Sequence, residues 1–99
     1  MTGEYDIYVD CDYLTDLEER LVTIISALND ASEQMLSAVN YSQDFLSGRQ
    51  FENAKEITKH CVNNTSQTCD NILKSIKYLE ELKTVLEEYE KCRYPYDGI

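Results

Sequence analysis

Apolar residues recur along the first half of the chain at alternating steps of three and four: Leu14, Leu17, Leu21, Ile24, Leu28, Ala31, Met35, Ala38, Ser42 and Phe45. A seam of this kind, sustained over more than four heptads, predicts one long helix packed along its length on another. The second half repeats the pattern less cleanly through Phe51, Ala54, Thr58, Cys61, Thr65, Thr68, Ile72, Ile76, Leu79, Leu82, Leu86 and Tyr89. Its weak part is Val62 to Thr68, where Asn63-Asn64-Thr65-Ser66-Gln67 are poor helix formers. A break there gives three helices and continuity gives two; the unbroken phase on both sides favours two.

Gly and Pro punctuate chains more strongly than any other residues. Here Gly3, Gly48, Pro95 and Gly98 mark only the ends and the midpoint. The fold expected is all-α: an antiparallel two-helix hairpin with helices at about 13–46 and 49–92 and a turn at 46–48. An arm, 1–12, precedes the hairpin and a tail, 93–99, follows it. Thr15 with Glu18 fits a capping box at the first helix start. At the turn two readings stay open. Gly48 takes the left-handed conformation that closes a helix, or Ser47 and Gln50 form a capping box that opens the second. In the arm, Tyr5, Ile7, Val9 and Cys11 alternate with Asp6, Tyr8, Asp10 and Asp12, a period of two that suits an extended segment. It either lies along the second helix or awaits a partner.

Two helices bury one seam between them, and this chain has apolar residues to spare. Val22, Ile25, Leu36 and Val39 in the first helix, with Ile57, Val62, Leu73 and Val85 in the second, flank the main seam. A stripe this broad predicts more than one neighbour per helix. The simplest solution is a partner hairpin, from the same or another protein, that completes a four-helix bundle.

The 99 residues carry 9 Lys and Arg against 19 Asp and Glu, a net charge of −10. That balance argues against nucleic-acid binding, which needs a basic face, and against a polybasic membrane anchor. No apolar stretch approaches the roughly 20 residues of a bilayer span. The acidic start, Met1-Thr2-Gly3-Glu4-Tyr5-Asp6, lacks the basic-then-apolar pattern of a signal peptide. The expected location is therefore cytoplasmic, or outside the cell by a route that needs no signal peptide. Residues 1–48 hold a net −9 and residues 49–99 a net −1, so pairing two copies through their first helices sets like charges together. A less acidic partner would be steered in.

Candidate chemistry is sparse. Cys61 and Cys69 are eight residues apart on one predicted helix, too far for a disulfide. Cys11 and Cys92 fall near the open end of the hairpin and meet only if the arm extends past the first helix. The reading adopted is that the cysteines behave as small apolar seam residues. His60 is the only histidine, and with Cys61 it lacks two further zinc ligands. Asp6, Asp10 and Asp12 lack the glycine and terminal glutamate of a calcium loop. No catalytic residues, metal or cofactor are expected, and the protein is read as non-enzymatic.

The length, the two long helices and the turn Leu46-Ser47-Gly48 resemble the Trp-X-Gly superfamily of small type VII secretion proteins. Leu46 in place of Trp points to the related Leu-X-Gly group, whose domains lead toxins exported by Gram-positive bacteria. Ile7-Tyr8-Val9-Asp10 followed by Leu14 is similar to that group's opening. Leu46-Ser47-Gly48 running into Phe51, Ala54 and Lys55 is similar to its helix after the turn. The resemblance implies a hairpin that pairs side by side with another hairpin and is read by the secretion ATPase. It also shows a departure. These families place a Tyr-X-X-X-Asp/Glu export signal after the second helix, whereas here Tyr89 leads to Arg93 and Tyr94 to Gly98. Tyr8-Val9-Asp10-Cys11-Asp12 has the spacing, but at the opposite end of the chain. The expected role is thus a targeting partner or chaperone for a toxin's Leu-X-Gly domain, with the signal displayed by the complex. The alternatives are an exported small hairpin that dimerises and a coiled-coil structural adaptor unrelated to secretion.

Overall fold

The computed structural model describes residues 8–94. Expectations resting on residues 1–7 and 95–99, among them Asp6 and Ile7, lie outside the described residues. The chain runs β1 (Val9–Asp10), α1 (Cys11–Tyr41), a 3-10 turn over Ser42–Asp44, α2 (Gly48–Glu88) and β2 (Cys92–Arg93). Two long helices of 31 and 41 residues joined by a tight turn make the fold an all-α hairpin. Among the described residues, no helix is long and apolar enough to cross a membrane. The chain divides into two compact units, one containing the residues up to Val22 and from Leu73 onward, the other Thr23–Ile72.

The first unit holds the open end. Helix α1 begins at Cys11, two residues before the expected start, because Asp10 caps it: the Tyr13 backbone N–H donates to Asp10 Oδ1 at 3.1 Å. Thr15 is therefore no cap. It sits one turn inside α1, where its hydroxyl donates to the Cys11 carbonyl at 3.1 Å. At the other end, α2 stops at Glu88, four residues short of the expected 92. Glu90 takes a left-handed conformation, φ 56°. Around it the Glu90 N–H bonds to the Glu87 carbonyl at 3.1 Å and the Lys91 N–H to the Leu86 carbonyl at 2.7 Å. This is a Schellman closure, with glutamate where glycine is usual.

The reversal sends Cys92 and Arg93 beside β1, so the arm finds its strand partner within the chain. The two strands pair in parallel, Val9 opposite Cys92 and Asp10 opposite Arg93. The Val9 N–H donates to the Lys91 carbonyl at 2.8 Å. Cys11 and Cys92 are joined by a disulfide, their Cα atoms 5.4 Å apart. This corrects the reading of both as simple apolar residues. The early helix start and the strand pairing supply the arm extension that the bridge required. Beneath it lies the core of this unit, Cys11, Leu14 and Leu79, with Val9, Leu17, Leu21, Leu82, Leu86, Cys92 and Tyr94 packed against it.

The second unit holds the turn. Helix α1 ends at Tyr41 rather than 46 because Ser42 tightens the chain. The Ser42 hydroxyl donates to the Val39 carbonyl at 2.7 Å, and the Phe45 and Leu46 N–H groups both reach the Ser42 carbonyl. Helix α2 then opens with the capping box: the Gln50 N–H reaches Ser47 Oγ at 3.5 Å and the Ser47 N–H reaches Gln50 Oε1 at 3.3 Å. Gly48 has no positive φ and is the first residue of α2, so the left-handed alternative is excluded. Through 63–68 the helix is continuous. The Thr68 hydroxyl is satisfied by the Asn64 carbonyl one turn back, at 3.0 Å.

Candidate protein-binding surfaces

In the first unit, Val22, Leu73 and Val85 are exposed. These are three of the residues assigned to an outer stripe. Val22 shares a groove of about 390 Å³ with Ile76, and that groove is rimmed by Glu18, Glu19 and Glu80. On another side, Leu17, Leu21, Tyr78 and Leu79 line a groove of about 490 Å³. Both are shallow troughs beside a two-helix seam, with apolar floors and charged edges. That geometry suits a helix laid alongside rather than an enclosed small molecule.

In the second unit, Leu36 and Ile57 are exposed, the latter to 65 %. Ile25, Val39 and Val62 are half-buried. They fall on the inward-facing repeat of their helices, whereas Ile24 and Cys61, which the sequence places on the seam, are exposed. Leu36, Val39, Thr58 and Val62 line a groove of about 180 Å³, edged by Lys55 and Lys59. Around the turn, Tyr41 and Phe45 are exposed, with ring centroids 5.3 Å apart. Of the turn motif, Leu46 is half-buried, Ser47 is the cap and Gly48 starts the helix.

A polar cluster that the apolar pattern does not reveal lies inside the first unit. Lys83 Nζ donates to Thr15 Oγ1 at 2.8 Å and lies 3.6 Å from Glu18 Oε1. That oxygen is buried and accepts no hydrogen bond. The signal that could have found this cluster is spacing. Glu18 and Lys83 both continue the inward steps of three and four along their helices. Among the described residues, no group of three or more His, Cys, Asp or Glu side chains could hold a metal ion. Cys61 and Cys69 are free thiols, and the buried Cys69 sulfur lies 3.8 Å from Asn29 Oδ1.

At the open end the Tyr8 ring packs under two cations, the Lys91 ammonium 5.2 Å and the Arg93 guanidinium 4.9 Å from its centroid. The parallel strand pair thereby sets Tyr8 beside the segment that leaves α2. Compared with protein-family models, with curated proteins and with solved structures, the chain matches none.

Proposed function

We propose that this chain is a non-enzymatic helical partner, a targeting factor or chaperone, that binds the Leu-X-Gly domain of a toxin for type VII secretion. The observation that carries the reading is a two-helix hairpin that leaves Val22, Leu36, Ile57, Leu73 and Val85 exposed. A pair of helices buries one seam, and a partner hairpin would cover the remaining apolar positions as a four-helix bundle. The charge excess of residues 1–48, net −9, favours a less acidic partner over a second copy. In this reading the chain meets its toxin in the cytoplasm, and the secretion ATPase reads the complex.

Two observations favour the runner-up, an exported hairpin that dimerises. The Cys11–Cys92 disulfide is typical of proteins that reside in an oxidising compartment. The pairing of β1 with β2 also sets Tyr8, which opens the Tyr-X-X-X-Asp spacing ending at Asp12, beside the segment after α2. That is where the resembling families carry their export signal. The reading outside secretion is a coiled-coil structural adaptor.

Absolute mass by light scattering separates these readings. The chain is measured alone and mixed with a Leu-X-Gly domain. A monomer or weak dimer that becomes a one-to-one complex supports the targeting partner. A tight homodimer indifferent to the domain moves the assignment to the exported hairpin or the adaptor.

A further inference from the structure

We propose that the Cys11–Cys92 disulfide is a redox-operated clasp that closes the open end of the hairpin when oxidised and releases it when reduced. Besides the bond, that end is held by a short strand ladder, the turn at Glu90, the Tyr8 contacts with Lys91 and Arg93, and apolar packing. The ladder is two residues long on each strand and parallel, and a strand pair of that size does not persist by itself in water. Residues 91–94 hang from the left-handed turn at Glu90, a conformation that glutamate adopts at a cost. Yet this segment covers the core: Cys92 and Tyr94 pack on Cys11, Leu14 and Leu79, and Val9 joins them from the other strand. Removing the covalent bond therefore frees the elements that close over Leu14 and Leu79. The second unit has no such bond, since its cysteines, Cys61 and Cys69, are free.

The exchange is a two-electron step with a dithiol reductant. Cys11 is wholly buried and Cys92 half-buried, so the attacking thiolate reaches the Cys92 sulfur. The Cys11 sulfur leaves as a thiolate and takes up a proton. The second thiol of the reductant then attacks the mixed disulfide, forming the reductant's own disulfide and releasing Cys92 as a thiol. Oxidation by a disulfide donor reverses both steps. A chain kept in reducing surroundings thus has an open end that closes once it meets an oxidant.

The test is hydrogen exchange of the full chain, carrying Cys61→Ser to prevent cross-linking through the exposed thiol, with and without dithiothreitol. Peptides covering 8–14 and 86–94 should exchange about a hundredfold faster after reduction, while those covering 28–35 and 58–65 keep their rates. Cys11→Ala with Cys92→Ala should reproduce the fast exchange without reductant. Unchanged exchange at 8–14 and 86–94 in the reduced chain would overturn the proposal, because the ladder would then hold unaided. Equal acceleration everywhere would overturn it too, since the bond would be a staple of the whole hairpin.

Discussion

Glu18 and Lys83 occupy inward-facing positions on α1 and α2 and pair there, 3.6 Å apart, with side chains only 15 % and 20 % exposed. Each is a charge where a heptad seam ordinarily places an apolar residue. Removing one partner leaves the other half-buried without a counter-charge, which is more damaging than losing an exposed ion pair. Lys83→Ala is expected to destabilise the chain by about 2 kcal/mol, scaled down from fully buried pairs because water still reaches both groups. Replacing both, as Glu18→Leu with Lys83→Met, should recover most of the loss. Urea unfolding of these two variants and of the single changes Glu18→Leu and Lys83→Met checks this, and an additive double variant would show that the two groups are not coupled.

That pair also explains why the seam was only half legible in the sequence. From Leu14 the inward positions of α1 run Glu18, Leu21, Ile25, Leu28, Ser32, Met35 and Val39, and the turn continues them through Ser42 and Leu46, steps of four and three without a break. Choosing apolar residues alone selects the half-buried Leu17 beside Glu18 and then the exposed Ile24, Ala31, Ala38 and Phe45, one residue early at every second step. Glu18 and Ser32 are polar positions that mislead such a count, and for Glu18 the compensation, Lys83, lies far away in sequence. The same slip on α2 puts Cys61 and Thr68 on the seam in place of Val62 and Cys69. Helix number and continuity through 63–68 were readable because Gly, Pro and periodicity act locally, whereas the turn begins at Ser42, ahead of the expected 46. The disulfide was not readable, because it depends on Asp10 starting α1 early and Glu90 reversing the chain.

Gly48 gains nothing from being glycine. It has ordinary backbone angles, and an added Cβ would meet no atom within 4 Å. Gly48→Ala should therefore stabilise the chain by about 0.4–1 kcal/mol, chiefly by restricting the unfolded state. Ser47→Ala, which removes the cap, should cost about 1 kcal/mol. Thermal unfolding of the two variants should move in opposite directions; a drop in Tm for Gly48→Ala would mean that the turn needs glycine after all.

Glu90 is the converse case, a position that wants glycine and lacks it. Its left-handed conformation, φ 56°, costs an L-residue about 1–2 kcal/mol. Glu90→Gly should relieve roughly 1 kcal/mol of this after its own entropic loss in the unfolded chain. Chemical denaturation of the oxidised protein reads the gain, and no gain would place the strain elsewhere.

Leu36 and Leu73 are exposed apolar residues on separate units, which makes them clean probes of the proposed partner surface. A charge at either should weaken binding of the Leu-X-Gly domain by at least about 2 kcal/mol, some thirtyfold. Neither Leu36→Glu nor Leu73→Glu should reduce the helicity of the isolated chain, because neither side chain is buried in it. Calorimetric titration with circular dichroism on the same samples decides the matter. Binding that survives both changes would move the interface off these leucines.

The bridge between Cys11 and Cys92 spans 81 positions of sequence, so everything between them belongs to a covalently closed ring. A protease that cuts once near the exposed Phe45 would open the ring without dividing the molecule. The product would be a two-chain protein of almost unchanged mass, its halves separable only after reduction. Backbone damage at the turn, fatal to the integrity of an ordinary hairpin, here becomes a change of connectivity.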